Sequence, residues 1–197
     1  MEKEQSLTNE QSLELITSMI SRAKNDYYDT GISALLWGVV IIFCCLATYA
    51  NQYLQWPILR WIWCLVIVAV VPQIIISMRE GRRRGFKTHE SNMIGGIWFS
   101  YGIAIFVFSY IDSYLNIRHD VPIYLTLFGI PTFATGYGRR FRPMTLGGLA
   151  CWVLAIVTLF VPDYYTLFLM ASGALLAWFI PGLLLRRCYL KAKRQHV

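Results

Sequence analysis

Six stretches of this chain are each about as long as a bilayer is thick and nearly free of charge, and no other feature restricts the fold so strongly. They run at about 31–51, 57–78, 93–115, 121–138, 144–161 and 164–185, and the charges inside them are Arg60 and Asp112. A helix rises ~1.5 Å per residue, so crossing ~30 Å of hydrocarbon takes about 20 apolar residues with every backbone polar group paired inside the segment. Composition agrees, since 56% hydrophobic and 15% charged residues over 197 positions suit a lipid environment better than a water-exposed domain. The expected fold is an all-α membrane protein. It has a cytoplasmic amphipathic arm over 1–30, a bundle of six transmembrane helices over 31–185 and a basic cytoplasmic tail over 186–197. The connections are short, so consecutive spans are expected to pack as antiparallel hairpins.

Charge in the loops gives the threading. Of the 18 Lys and Arg residues, only Arg60 and Arg118 fall on the side opposite the termini. The rest flank the inner ends of the spans, which places both termini in the cytoplasm. Tyr49, Tyr53, Trp56, Trp61, Tyr110, Tyr114, Tyr124, Tyr164 and Tyr165 form the expected aromatic belt at the outer boundary. The N-terminal sequence lacks a basic start followed by a short apolar core, so the first span is expected to direct insertion itself.

Residues 8–28 read as an amphipathic helix. Leu13, Leu15, Ile16, Met19, Ile20, Ala23 and Tyr27 share one face, and Glu10, Glu14, Ser18, Ser21 and Arg22 the other. Lys3, Arg22 and Lys24 stand against Glu2, Glu4, Glu10, Glu14, Asp26 and Asp29, a side-chain charge of −3 from three minus six. A helix that binds anionic lipid unaided carries a basic polar face. The arm is therefore expected to dock on the basic cytoplasmic face of its own bundle or a neighbouring subunit, the alternative being a helix lying neutrally in the interface.

The even-numbered spans share a layout, "VVPQIIISMR", "GIPTFATGYGRR" and "FIPGLLLRR", each with a proline in the inner half and basic residues after it. Pro72, Pro131 and Pro181 thus recur at equivalent depth, while two odd spans open alike, "MIGGIW" and "MTLGGLACW". This pattern suggests three repeats of a two-helix hairpin. Each proline removes a backbone hydrogen bond and is expected to kink its helix. Pro72, Pro131 and Pro181, with Gly129, Gly136 and Gly138 around the second, are the candidate hinge. Small residues near the inner ends of the odd spans, Gly31 and Ser33, Gly95 and Gly96, Gly147 and Gly148, would allow close backbone approach.

Residues that carry chemistry are scarce. An ionisable group at membrane depth is costly and hence a functional candidate. Arg60 and Asp112, each about one turn inside the outer boundary, form a candidate outer-side ion pair, read alternatively as interface snorkelling. His89, His119 and His196 lie in loops or tails, and no HExxH, GxSxG or CxxC occurs. No catalytic residue, metal ligand or cofactor site is assigned, and enzymatic activity is not expected. The basic runs "REGRRRGFKTHE" and "RRCYLKAKRQHV" flank spans and are explained by insertion and anionic lipid at the cytoplasmic face rather than nucleic acid.

The segment "SLELITSMISRAKNDYYDTGISALLWG", residues 12–38, resembles the opening of a group of bacterial integral membrane proteins of about this length whose function is unknown. They too have an amphipathic arm running into a first of six spans. The resemblance implies the cytoplasmic membrane of a bacterium and no particular ligand. Two functions are weighed. One is a non-enzymatic multi-pass protein acting by contact with itself or another membrane protein, as sensor, scaffold or regulatory subunit. The alternative is a small uncoupled channel or solute carrier with a path between the kinked even spans. A path would need Gln73, Ser77, Ser100, Ser109, Thr126, Thr132, Thr135, Thr158 and Ser172 to converge on a wet cavity.

Overall fold

The computed structural model describes residues 30–83 and 89–194. The arm over 1–29, and with it the expected amphipathic helix, lies outside the described residues. All six apolar stretches are helical, and no strand occurs among the described residues. Helix α1 spans Ile32–Leu54. A 3-10 turn, Pro57–Trp61, leads into α2, Cys64–Arg83. Then come α3, His89–Leu115; α4, Val121–Gly138; and α5, Arg142–Val157, which closes on a 3-10 turn at Thr158–Phe160. Helix α6, Asp163–Ala174, passes through a π-helical turn at Leu175–Phe179 into α7, Ile180–Arg194.

Four helical segments are long and apolar enough to cross a membrane: Ile32–Leu54, Cys64–Arg82, Asn92–Leu115 and Asp163–Lys191. Arg142–Thr158 is a shorter apolar helix. Helix α4 is not among them, because Pro122, Thr126, Gly129, Pro131, Thr132, Thr135, Gly136 and Gly138 dilute its apolar content. Those residues serve the interior. Val121, Leu125, Phe128, Gly129, Pro131, Thr132, Thr135 and Gly136 are all buried.

The second stretch begins later than expected. Pro57 fixes its own φ and opens a tight 3-10 turn, so the α-helix starts at Cys64. The last helix runs further than expected, through Arg194, because no glycine or proline follows Gly182 and basic side chains favour a helix C-terminus. Pro181 has no N–H to give to the preceding turn. The chain widens there instead, and the Ile180 N–H reaches back five residues to the Leu175 carbonyl.

Helices α1, α4, α5 and the long α6–α7 unit make a tightly packed centre, with α4 against α5 as the closest pair. The main core joins Ile41 and Cys45 of α1, Leu125 and Phe128 of α4, Cys151 and Ala155 of α5 and Met170, Ala174 and Trp178 of α6–α7. Helices α2 and α3 are peripheral. The first lies on α1, the second on α4, and they hardly meet along their lengths. The expectation that consecutive spans pack as hairpins therefore fails for this pair, since each finds its apolar seam on a central helix. Both turn most of their surface outward, with Ile67 70% exposed on α2 and Phe106 74% exposed on α3.

Candidate functional site

The polar chemistry of the interior gathers around Pro131 of α4. Thr132 and Thr135 are fully buried, one turn apart on the same face. The Trp178 indole N–H, from the π-helical turn, donates to Thr132 Oγ1 at 2.9 Å. Thr132 Oγ1 in turn donates to the Phe128 carbonyl at 2.7 Å. From the other side, the Trp98 indole N–H of α3 donates to Thr135 Oγ1 at 3.0 Å. Tyr101 makes edge contacts with Trp98, Phe128 and Trp178, their ring centroids 5.7, 6.5 and 6.4 Å away. Thus one turn of α4 is fastened to two other helices by buried indole–hydroxyl bonds, each satisfying a donor that would otherwise be costly in an apolar interior.

A second polar seam joins α1 to α2. The Trp37 indole donates to Gln73 Oε1 at 3.1 Å, and Gln73 Nε2 donates to Ser33 Oγ at 3.2 Å and Ser77 Oγ at 3.1 Å. At the start of α1, Thr30 Oγ1 donates to Glu80 Oε1 near the end of α2. Gln73 thus uses its oxygen and both amide hydrogens. Sequence reading missed the roles of Trp37, Trp98 and Trp178. Their signal was position: all three lie inside apolar stretches, where an indole N–H finds few polar neighbours and needs an acceptor from another helix.

Of the candidate hinge residues, Pro131, Gly129 and Gly136 lie in this central layer. A Cβ at Gly129 would sit 2.4 Å from Trp152 Nε1, and one at Gly136 would sit 2.4 Å from the Thr145 backbone nitrogen. These two glycines allow α4 and α5 to touch. Gly138 has open space around it. Pro72 is separate, half-buried on α2, and Pro181 is fully buried beside the π-helical turn. Among the small residues read as close-packing, Gly31, Gly147 and Gly148 meet backbone of other helices, whereas Gly95 and Gly96 meet nothing within 4 Å. The latter pair face outward on α3 and bring no helix close.

The side chain of Arg60 lies outside the described residues, and with it the candidate pair with Asp112. Asp112 Oδ1 accepts the Ile117 N–H at 3.2 Å, closing the end of α3. Arg118 and His119 approach Asp163, at 3.7 and 3.6 Å and largely exposed. Nearby Asp120, half-buried at the start of α4, titrates above the usual carboxylate value of 3.8, first because burial disfavours its charge and then because Asp112 repels it. The backbone N–H groups of Asp120 and Val121 oppose this, and Asp163 adds a smaller upward push. Tyr49, Tyr53, Tyr164 and Phe168 close the C-terminal end of α1 against α6.

Several of the hydroxyls considered for a path bond to the backbone of their own helix or to a neighbouring side chain. Thr126, Thr158 and Ser172 donate to the carbonyls of Pro122, Ala155 and Phe168, Ser100 to that of Ile97, and Ser109 receives the Tyr124 hydroxyl at 3.1 Å. A shallow recess of about 470 Å³ between α4 and α5 is apolar, lined by Pro122, Thr126, Trp152, Ala155, Ile156 and Leu159. Among the described residues no three His, Cys, Asp or Glu side chains gather as a metal site. Compared with known proteins, the chain matches no family model, no curated protein and no solved structure.

Proposed function

We propose that this chain is a six-span protein of a bacterial cytoplasmic membrane, with both termini in the cytoplasm, that acts by contact with another membrane protein or a second copy of itself. The observation that carries the reading is the closure of the interior: the hydroxyls and indoles of the central layer bind one another or their own helix. A path for solutes needs such groups free to replace water around the solute. The outward faces of α2 and α3, each attached along a single seam, are the surfaces offered within the bilayer. Basic residues at the inner ends hold anionic headgroups there.

The test places a photocrosslinking residue in cells at Phe106 or Tyr110 of α3, with Val153 or Ile156 of α5 as comparison. Crosslinking to one defined protein from α3, and not from α5, is the expected result. Uniform crosslinking to lipid from both, together with solute flux in reconstituted vesicles that Thr135→Leu abolishes, would replace this reading by the channel or carrier. A reporter fused after Val197 is expected to be active only on the cytoplasmic side.

A further inference from the structure

The end of the bundle where α3 stops and α4 and α6 begin gathers titratable groups from all three. Its charged and imidazole side chains are Arg60, Asp112, Arg118, His119, Asp120 and Asp163. Arg60 has its side chain outside the described residues; the other five meet at one corner. Asp112 stands near the end of α3, where its carbonyl accepts the Asn116 N–H at 2.7 Å and its carboxylate the Ile117 N–H at 3.2 Å. Asn116 takes a left-handed φ of 54°, which turns the chain tightly into Arg118, His119 and Asp120. Asp163 opens α6, with Arg118 Nε at 3.7 Å and His119 Nδ1 at 3.6 Å from its carboxylate. Asp120 is half-buried and feels the charge of both other carboxylates.

With the imidazole neutral, three carboxylates face one described arginine, a balance of −2 from one minus three. Helix α3 is the element on which this excess acts. It is peripheral, and near this end it is fastened to α4 by the Tyr124 hydroxyl on Ser109 at 3.1 Å and by a Phe108–Tyr124 ring contact at 4.9 Å. Its other polar hold, the Trp98 indole on Thr135, is about three turns away. We propose that this corner is a proton-sensitive clamp: acidification draws the end of α3 and the following turn onto α4 and α6, and alkaline conditions loosen them.

The closed corner gains from protons at two groups. Burial first, and then the Asp112 charge, hold the Asp120 carboxyl above the usual value of 3.8, so the closed corner binds that proton more tightly than an open, solvated one. A proton on the His119 imidazole turns its approach to Asp163 into an ion pair, which again favours closure as pH falls. Arg118 holds Asp163 whatever the pH and sets the baseline. Tyr124 on α4 and Tyr164 and Tyr165 on α6 also stand here, but a phenol ordinarily titrates near pH 10 and plays no part in this range. On the threading proposed above the corner faces away from the cytoplasm, so the proton it reports is external; the clamp itself holds for either threading and is tested on the isolated chain.

The test uses the full chain in neutral detergent with Cys64→Ser and Cys188→Ser, which leaves three buried cysteines. Nitroxides are attached at Tyr114→Cys, exposed at the end of α3, and at Phe160→Cys, exposed in the turn before α6. Pulsed electron resonance reads the distance between them from about pH 8 to about pH 4.5, across the imidazole range and above the usual carboxylate value. The ratio of near to far populations is expected to rise about threefold on acidification, the size that exposed charge pairs supply. His119→Lys keeps its charge throughout and is expected to hold the near distance at the alkaline end. Asp120→Asn combined with His119→Gln is expected to abolish the change, and Arg60→Gln to leave it in place. Equal distributions across the series, a change that persists in the double variant, or far distances in His119→Lys would each overturn the clamp. So would a change lost with Arg60→Gln, which assigns the step to that arginine.

Discussion

At the level of single residues, what matters most is how little space the α4–α5 contact leaves. Gly136→Ala would place a methyl 2.4 Å from the Thr145 backbone nitrogen, which no rotamer can relieve. It is expected to lower stability by about 1–3 kcal/mol, read as a lower Tm in detergent. Gly138→Ala, two residues on, meets nothing and is expected to raise stability by up to about 1 kcal/mol, since alanine is the better helix former. Thr132→Val keeps the shape of the side chain but strands the Trp178 indole N–H, which costs about 1–3 kcal/mol in the same measurement. Asp120 makes stability depend on pH. Its folded pKa lies above its unfolded value, so the folded state binds the proton more tightly and stability falls as pH rises from about 3.8 through the raised folded value. Asp120→Asn is expected to remove that part of the Tm–pH profile and to leave the protein slightly more stable at neutral pH.

Among the elements, the turn from α4 to α5 shows how local chemistry ends a helix. The Phe141 N–H reaches back to the Gly136 carbonyl at 2.8 Å, and Arg139 bonds to Thr135 at 3.0 Å. This closure needs a left-handed residue, and Arg140 supplies it with φ of 51°. Glycine would adopt that conformation without crowding its Cβ, so Arg140→Gly is expected to raise stability by about 1 kcal/mol. Helices α2 and α3 differ from the rest in another way. Each touches the bundle along one seam, so their amides are expected to exchange with solvent deuterium sooner than those of α4 and α5. Equal protection across all helices would show that α2 and α3 are held by contacts with a partner.

At the scale of the molecule, helices occupy every stretch read from apolar run length. Which neighbour each helix takes is not written in its own stretch of sequence. A run of apolar residues has nearly the same pattern whether its partner is lipid or protein, so nothing in α2 or α3 announced that they would lie apart. The glycines illustrate the same limit: Gly95 and Gly96 open α3 much as Gly147 and Gly148 lie near the start of α5, yet only the second pair meets another helix. The central layer was half legible. Pro131 and its glycines stood out as a broken, short span, but the tryptophans that fasten it come from residues 98 and 178, far away in the chain.

The sequence by itself determined which segments are helical, which are apolar enough to leave water and which ends carry positive charge, because these depend on local composition and on the cost of unpaired backbone groups in hydrocarbon. Only the tertiary structure decided that α4 is an interior spine, that α2 and α3 stand outside, and which hydroxyls of the spans bond to other helices and which to their own backbone. Those outcomes depend on which side chains meet across distances of tens of residues, and pairing of that kind is written in shape and hydrogen-bond geometry rather than in any one stretch of chain.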